Sequence, residues 1–130
     1  MKTYMTVHVI TMKDGKFLLL QRAKHRTNPG TWNVVTGHVR EKESAEDAAL
    51  RELKEETNLE GKLVKTGEPF WVDQGDIRWI VVPSLINTDD ISQFKMDESE
   101  SQGFKWIGLD DEMIKHGIGL KKDLQILELI

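Results

Sequence analysis

The chain has 130 residues, 38% of them apolar, with 22 acidic against 18 basic side chains, a net charge of −4 and no cysteine. That length and composition predict one globular domain over 1–130 and exclude a disordered chain. The acidic balance argues against a grip on long nucleic acid, which depends on phosphate neutralisation; the missing cysteine excludes disulfides, thiolate metal sites and cysteine catalysis.

The first eight residues hold no apolar run of signal-peptide length. The longest apolar stretches, 17–20 and 79–83, fall far short of a bilayer span. A soluble, cytoplasmic protein with no membrane partner is therefore expected. Alternation over 5–10 predicts a strand, and Asp14-Gly15 a hairpin turn after it. Residues 17–20 are apolar on both faces, as in a strand covered on both sides. A polar, basic loop over 22–31 turns at Asn28-Pro29-Gly30, and 32–35 is extended again. Residues 44–58 read as a helix: Ser44 with Asp47 suits an N-cap, and Asn58 suits a left-handed stop. Strands follow over 62–65, 70–73, 77–85 and 104–107, with a turn at 74–76. Pro83 marks the third strand as ending early or lying at an edge. Residues 120–130 read as an amphipathic helix that either closes the core or packs on a second subunit in a homodimer. Strands interleaved with two helices imply an α/β fold, a mixed sheet packed between helices.

The helix over 44–58 carries the chemistry. Glu52, Glu55 and Glu56 stand at i, i+3 and i+4, so their carboxylates share one stripe. Like charges so placed destabilise a helix, and something positive should relieve them. Arg51 points about 100° away from Glu52 around a helix and is expected to pair with Glu43 or Glu55. Ala45, Ala48 and Ala49 let another segment approach closely, and Gly37 can offer its carbonyl at short range. Carboxylates plus a carbonyl form a hard-oxygen set suited to Mg2+ or Mn2+; the plain alternative is a solvated acidic face.

Quoted in full, Gly37-His38-Val39-Arg40-Glu41-Lys42-Glu43, seven residues, then Arg51-Glu52-Leu53-Lys54-Glu55-Glu56-Thr57-Asn58-Leu59 resembles the Nudix box. Six of its seven fixed Gly, Glu and Arg positions match; Asn58 stands where the family has Gly. Pro29-Gly30-Thr31-Trp32 upstream is similar to a segment that often precedes the box. Val35-Thr36-Gly37 resembles the dihydroneopterin triphosphate pyrophosphatase branch, and residues 100–106 resemble the family's Glu-x-x-x-aromatic-basic-Trp segment.

The resemblance implies the Nudix fold, an α/β/α sandwich, and Mg2+- or Mn2+-dependent hydrolysis of a nucleoside diphosphate linked to another group. It implies that Glu52, Glu55, Glu56 and the Gly37 carbonyl hold metal, with Glu100 joining the set. Arg51 belongs with them as the partner of Glu43 that fixes helix against loop. The general base is Glu52 or Glu100, with Glu98 as a competitor. Arg22 and Arg26 are candidates for phosphate contacts, and Trp32, Phe70, Trp71 and Trp79 for stacking on a base, the alternative for each aromatic being core packing. His38 is a further substrate candidate; His8, His25 and His116 suggest nothing specific. Members acting on ADP-ribose or dinucleoside polyphosphates often carry Pro or Tyr after the box, where this chain has Gln74 to Ile77. A small phosphorylated partner of the (deoxy)nucleoside triphosphate type is expected. The alternative is a catalytically silent module of the same fold that binds a nucleotide or a protein.

Overall fold

The computed structural model describes residues 1–130. Eight strands form one mixed sheet: β1 (Lys2–Lys13), β2 (Lys16–Arg22), β3 (Trp32–Asn33), β4 (Val35–His38), β5 (Lys62–Thr66), β6 (Phe70–Gln74), β7 (Ile77–Asn87) and β8 (Ser101–Gly108). The path β3-β2-β1-β7-β5 is its spine; β4 pairs with β1, β6 with β7, and β8 with β2. Strands β1 and β7 run parallel, and every other pairing is antiparallel. Helix α1 (Ala45–Thr57) covers one face. A 3-10 turn (Glu112–His116) and helix α2 (Leu120–Ile126) cover the other.

Strand periodicity divides the core between these faces. Val7, Val9, Leu18 and Leu20 pack with Ala48, Ala49 and Leu53 of α1. Ile10, Phe17 and Leu19 point the other way, onto Leu120, Leu124 and Leu127. The doubly apolar run over 17–20 thus serves a strand covered on both sides, as its pattern predicts. No helix is long and apolar enough to cross a membrane.

Two expectations are corrected. Pro83 neither ends β7 nor lies at an edge: β7 continues to Asn87, between β1 on one side and β5 and β6 on the other. The Pro83 carbonyl accepts from the Gly67 N–H at 2.8 Å, so its missing N–H faces the break between β5 and β6, where no strand needs it. The last helix is also shorter than the apolar pattern over 120–130. It stops at Ile126, Glu128 turns left-handed at φ 60°, and the Leu129 N–H returns to the Leu124 carbonyl at 2.9 Å. Leu120, Leu124 and Leu127 are buried inside this chain, so the segment closes the core.

Candidate active site

Helix α1 is capped as its sequence predicts. The Ser44 hydroxyl accepts from the Asp47 N–H at 3.1 Å, and Asn58 ends the helix at φ 60°. The Asn58 amide also donates to the Gln93 carbonyl at 2.9 Å, a bond glycine could not make. Together with Lys95 N–H to Thr57 O and Asp97 N–H to Glu56 O, both 2.9 Å, it fastens the loop after β7 to the end of α1. That loop carries Asp97 and Glu100 to the carboxylate stripe. The Ala23 N–H then holds the Glu100 carbonyl at 3.0 Å.

Gly37, in β4, is where sheet and stripe meet. An added Cβ would lie 2.1 Å from the Glu52 carboxyl carbon, so only glycine lets that carboxylate sit there. The Gly37 carbonyl accepts from the Thr6 hydroxyl at 2.8 Å. Arg51 gathers the surrounding acids. Its guanidinium bonds Glu43 at 2.8 and 2.9 Å and the His38 carbonyl at 2.9 Å. Its Nη1 reaches Glu52 at 2.8 Å and Glu55 at 3.2 Å. The pair with Glu52 corrects the expectation from helix geometry: the long side chain and its fork span the angular offset. Hydrogen bonds from Arg51 and from the Arg40 N–H pull the Glu43 carboxyl down to about 2.

Glu56 behaves oppositely. Burial, then the charges of Glu52 and Glu100, push its carboxyl up to about 9, and its Oε2 is sealed from solvent with no hydrogen-bond partner. No three side chains stand already gathered as a metal cage: Arg51 draws on Glu52 and Glu55, and Arg26 pairs with Glu100 at 3.2 Å. The donor set still fits a hard divalent cation. It is all oxygen, it includes an unpartnered buried carboxylate atom, and its crowding of negative charge would be relieved by positive charge.

These residues line a cavity of about 780 Å3 that takes in Glu52, Glu55, Glu56 and Glu100 together with Arg22, Arg26 and His38. Arg22 is tied back to Thr27, through the carbonyl and, at 3.1 Å, the hydroxyl. Glu98 is exposed and outside the lining, whereas Asp97, which the sequence did not single out, is in it. Trp32 is not brought to this cavity: it packs on the α2 side of the sheet with the Lys105 ammonium over its ring. Phe70 and Trp71 are also outside the lining, and Trp71 is exposed beneath Arg78. Alternation turns Trp71 away from its cavity-lining neighbour Val72, while Phe70, on the same face as Val72, lies farther along the strand against Gly119. Trp79 does line the cavity, stacked 5.5 Å from His38 and tilted against Tyr4 at 5.5 Å. His8 enters the wall as well, its Nδ1 2.6 Å from Asp123. No local motif flags a pair 115 residues apart.

Comparison with known proteins agrees with this architecture. The family model for the NUDIX domain matches residues 1–127, and the chain belongs to that family. It is 40% identical over 60 residues to the CTP pyrophosphohydrolase of Escherichia coli (strain K12), covering 46% of this chain and 44% of that protein. It is 47% identical over 53 residues to the dihydroneopterin triphosphate diphosphatase of the same organism, covering 40% of this chain and 33% of that protein. These matches therefore span less than half of either relative's length. The crystal structure of a MutT NUDIX hydrolase from Burkholderia pseudomallei superimposes with a TM-score of 0.83 at 18% identity, covering 98% of this chain and 99% of that one.

Proposed function

We propose that this chain is a Nudix pyrophosphohydrolase that uses Mg2+ or Mn2+ to cleave a small (deoxy)nucleoside triphosphate-type substrate to monophosphate and pyrophosphate. The observation that carries the reading is the carboxylate wall: Glu52, Glu55 and Glu56 from α1, joined by Glu100 from a distant loop, in one cavity with Arg22 and Arg26. The two curated relatives lend support, since one is named for CTP and the other for a pterin triphosphate. The cavity volume also lies in the usual range for small-molecule sites. The cytoplasm is the compartment in keeping with such a substrate.

Glu52, Glu55, Glu56 and Glu100, with the Gly37 carbonyl, would hold the cation. When bound, it would screen the polyphosphate charge, acidify water and stabilise the leaving pyrophosphate. Arg51 keeps the stripe in place by bonding Glu43, Glu52, Glu55 and the His38 carbonyl at once. Arg22 and Arg26 bind phosphate oxygens as planar forks. His38, stacked on Trp79, adds a polar and aromatic surface to the substrate cavity. The water oxygen bonds to phosphorus, the bridging P–O bond breaks, and a carboxylate takes the water proton. That carboxylate is Glu52 or Glu100.

A mass-spectrometric screen of triphosphates, ADP-ribose and dinucleotides with Mg2+ tests the reading. Release of monophosphate and pyrophosphate from a triphosphate is expected; binding without turnover would instead identify a silent module. Glu56→Gln should weaken Mn2+ binding and lower turnover by about 10²- to 10⁴-fold. Near-full activity in that variant would overturn the ligand assignment.

A further inference from the structure

The cavity wall includes a histidine, backed by a buried carboxylate, that hydrolysis as described does not use. His8 comes from the middle of β1 and Asp123 from α2, and their side chains are 8% and 0% exposed. His8 Nδ1 lies 2.6 Å from Asp123 Oδ2, while Asp123 Oδ1 is buried without a partner. A histidine placed only to fill a core normally has both ring nitrogens engaged or one facing apolar packing. His8 differs: Nε2 has no protein partner, is not among the sealed polar atoms, and the residue is in the cavity wall. The free nitrogen therefore opens to the cavity.

Burial pushes the Asp123 carboxyl above the usual carboxylate range. With Nδ1 taken up by that carboxyl, Nε2 is the ring position left to present its N–H to a ligand. Position fits a substrate's far end. His8 is two residues along β1 from Thr6, on the same face, and Thr6 bonds the Gly37 carbonyl beside the carboxylates. The offset along the strand is roughly 7 Å.

We propose that His8, oriented by Asp123, determines base specificity: its Nε2–H donates to an acceptor on the base edge of the triphosphate, a carbonyl oxygen or an unprotonated ring nitrogen. This rests on the substrate reading above. A base lacking that acceptor would leave the N–H unpaired on binding, which is the source of discrimination. Asp123 is a positioning residue that acts through His8.

The test measures kcat and KM separately for purine, pyrimidine and pterin triphosphates with Mg2+, in the wild type, His8→Ala, His8→Gln and Asp123→Asn. In His8→Ala the kcat/KM ratio between best and worst base should narrow by about 10- to 100-fold, with the loss residing in KM. His8→Gln, whose amide N–H can take the Nε2 position, should keep more of the preference. Asp123→Asn should raise KM for the preferred base by a smaller factor. If His8→Ala does not fold, these two variants carry the test. Equal loss over every base, or a lowered melting temperature with the preference intact, overturns the proposal and makes the pair structural. A wild type that cleaves all bases equally overturns it too. A wild type that cleaves no triphosphate overturns the substrate reading and this proposal together, whereas an unaltered preference in the variants overturns this proposal alone.

Discussion

Gly37 shows how one missing side chain can decide a site. Its Cα lies under the Glu52 carboxyl, and a methyl group there would come within 2.1 Å of the carboxyl carbon. Because the obstacle is the far end of a flexible side chain, Gly37→Ala should leave the fold intact and turn Glu52 away. The expected result is a turnover loss of about 10²-fold or more with little change in the circular dichroism spectrum. Glu43 makes a different kind of contribution, through charge. Its carboxyl is held at about 2 against 4.5 in the unfolded chain, chiefly by the Arg51 hydrogen bond. A depressed folded value stabilises the fold fully above the unfolded one, and the contribution fades as pH falls from about 4.5 towards about 2. Melting temperatures of the wild type and Glu43→Gln should therefore differ at pH 6 and converge towards pH 2.5.

At the scale of elements, α1 carries most of what could be read in advance. Its 3.6-residue period puts three glutamates on one stripe, and its caps at Ser44 and Asn58 are local matters of backbone geometry. Asn58 also does something its left-handed conformation alone does not require, since its amide holds the loop that delivers Glu100. Asn58→Gly should keep the turn and lose that bond, costing about 0.5–1.5 kcal/mol. Asn58→Ala should lose the bond and strain the backbone as well, costing about 1–3 kcal/mol in total, as chemical denaturation would show. The elements misread from sequence fail for tertiary reasons. Pro83 is tolerated mid-strand because the break between β5 and β6 faces it. The apolar pattern after Ile126 continues past the helix because the turn at Glu128 keeps Leu127 against the core and Leu129 packed beside it.

At the scale of the whole molecule, one sheet separates two apolar layers. Leu53 is buried in the layer under α1 and Leu124 in the layer under α2. Truncating either to alanine should cost about 2–5 kcal/mol. With the sheet between them, the double variant should show the sum to within about 0.5 kcal/mol in equilibrium unfolding. The same layering assembles the cavity, whose wall draws on α1, on strands β1, β2, β4 and β7, and on the loop before β8.

Family, fold class and the acidic stripe were contained in the linear order of residues, because turn chemistry, strand alternation and helical spacing act over a few neighbours. Which side chains share the cavity was settled only by folding. Trp79 enters while Trp32 and Trp71 do not; Asp97 and Glu100 arrive through loop bonds to α1; His8 meets Asp123 across 115 positions. Such meetings depend on strand register and on how the layers pack, and no short stretch of chain encodes either.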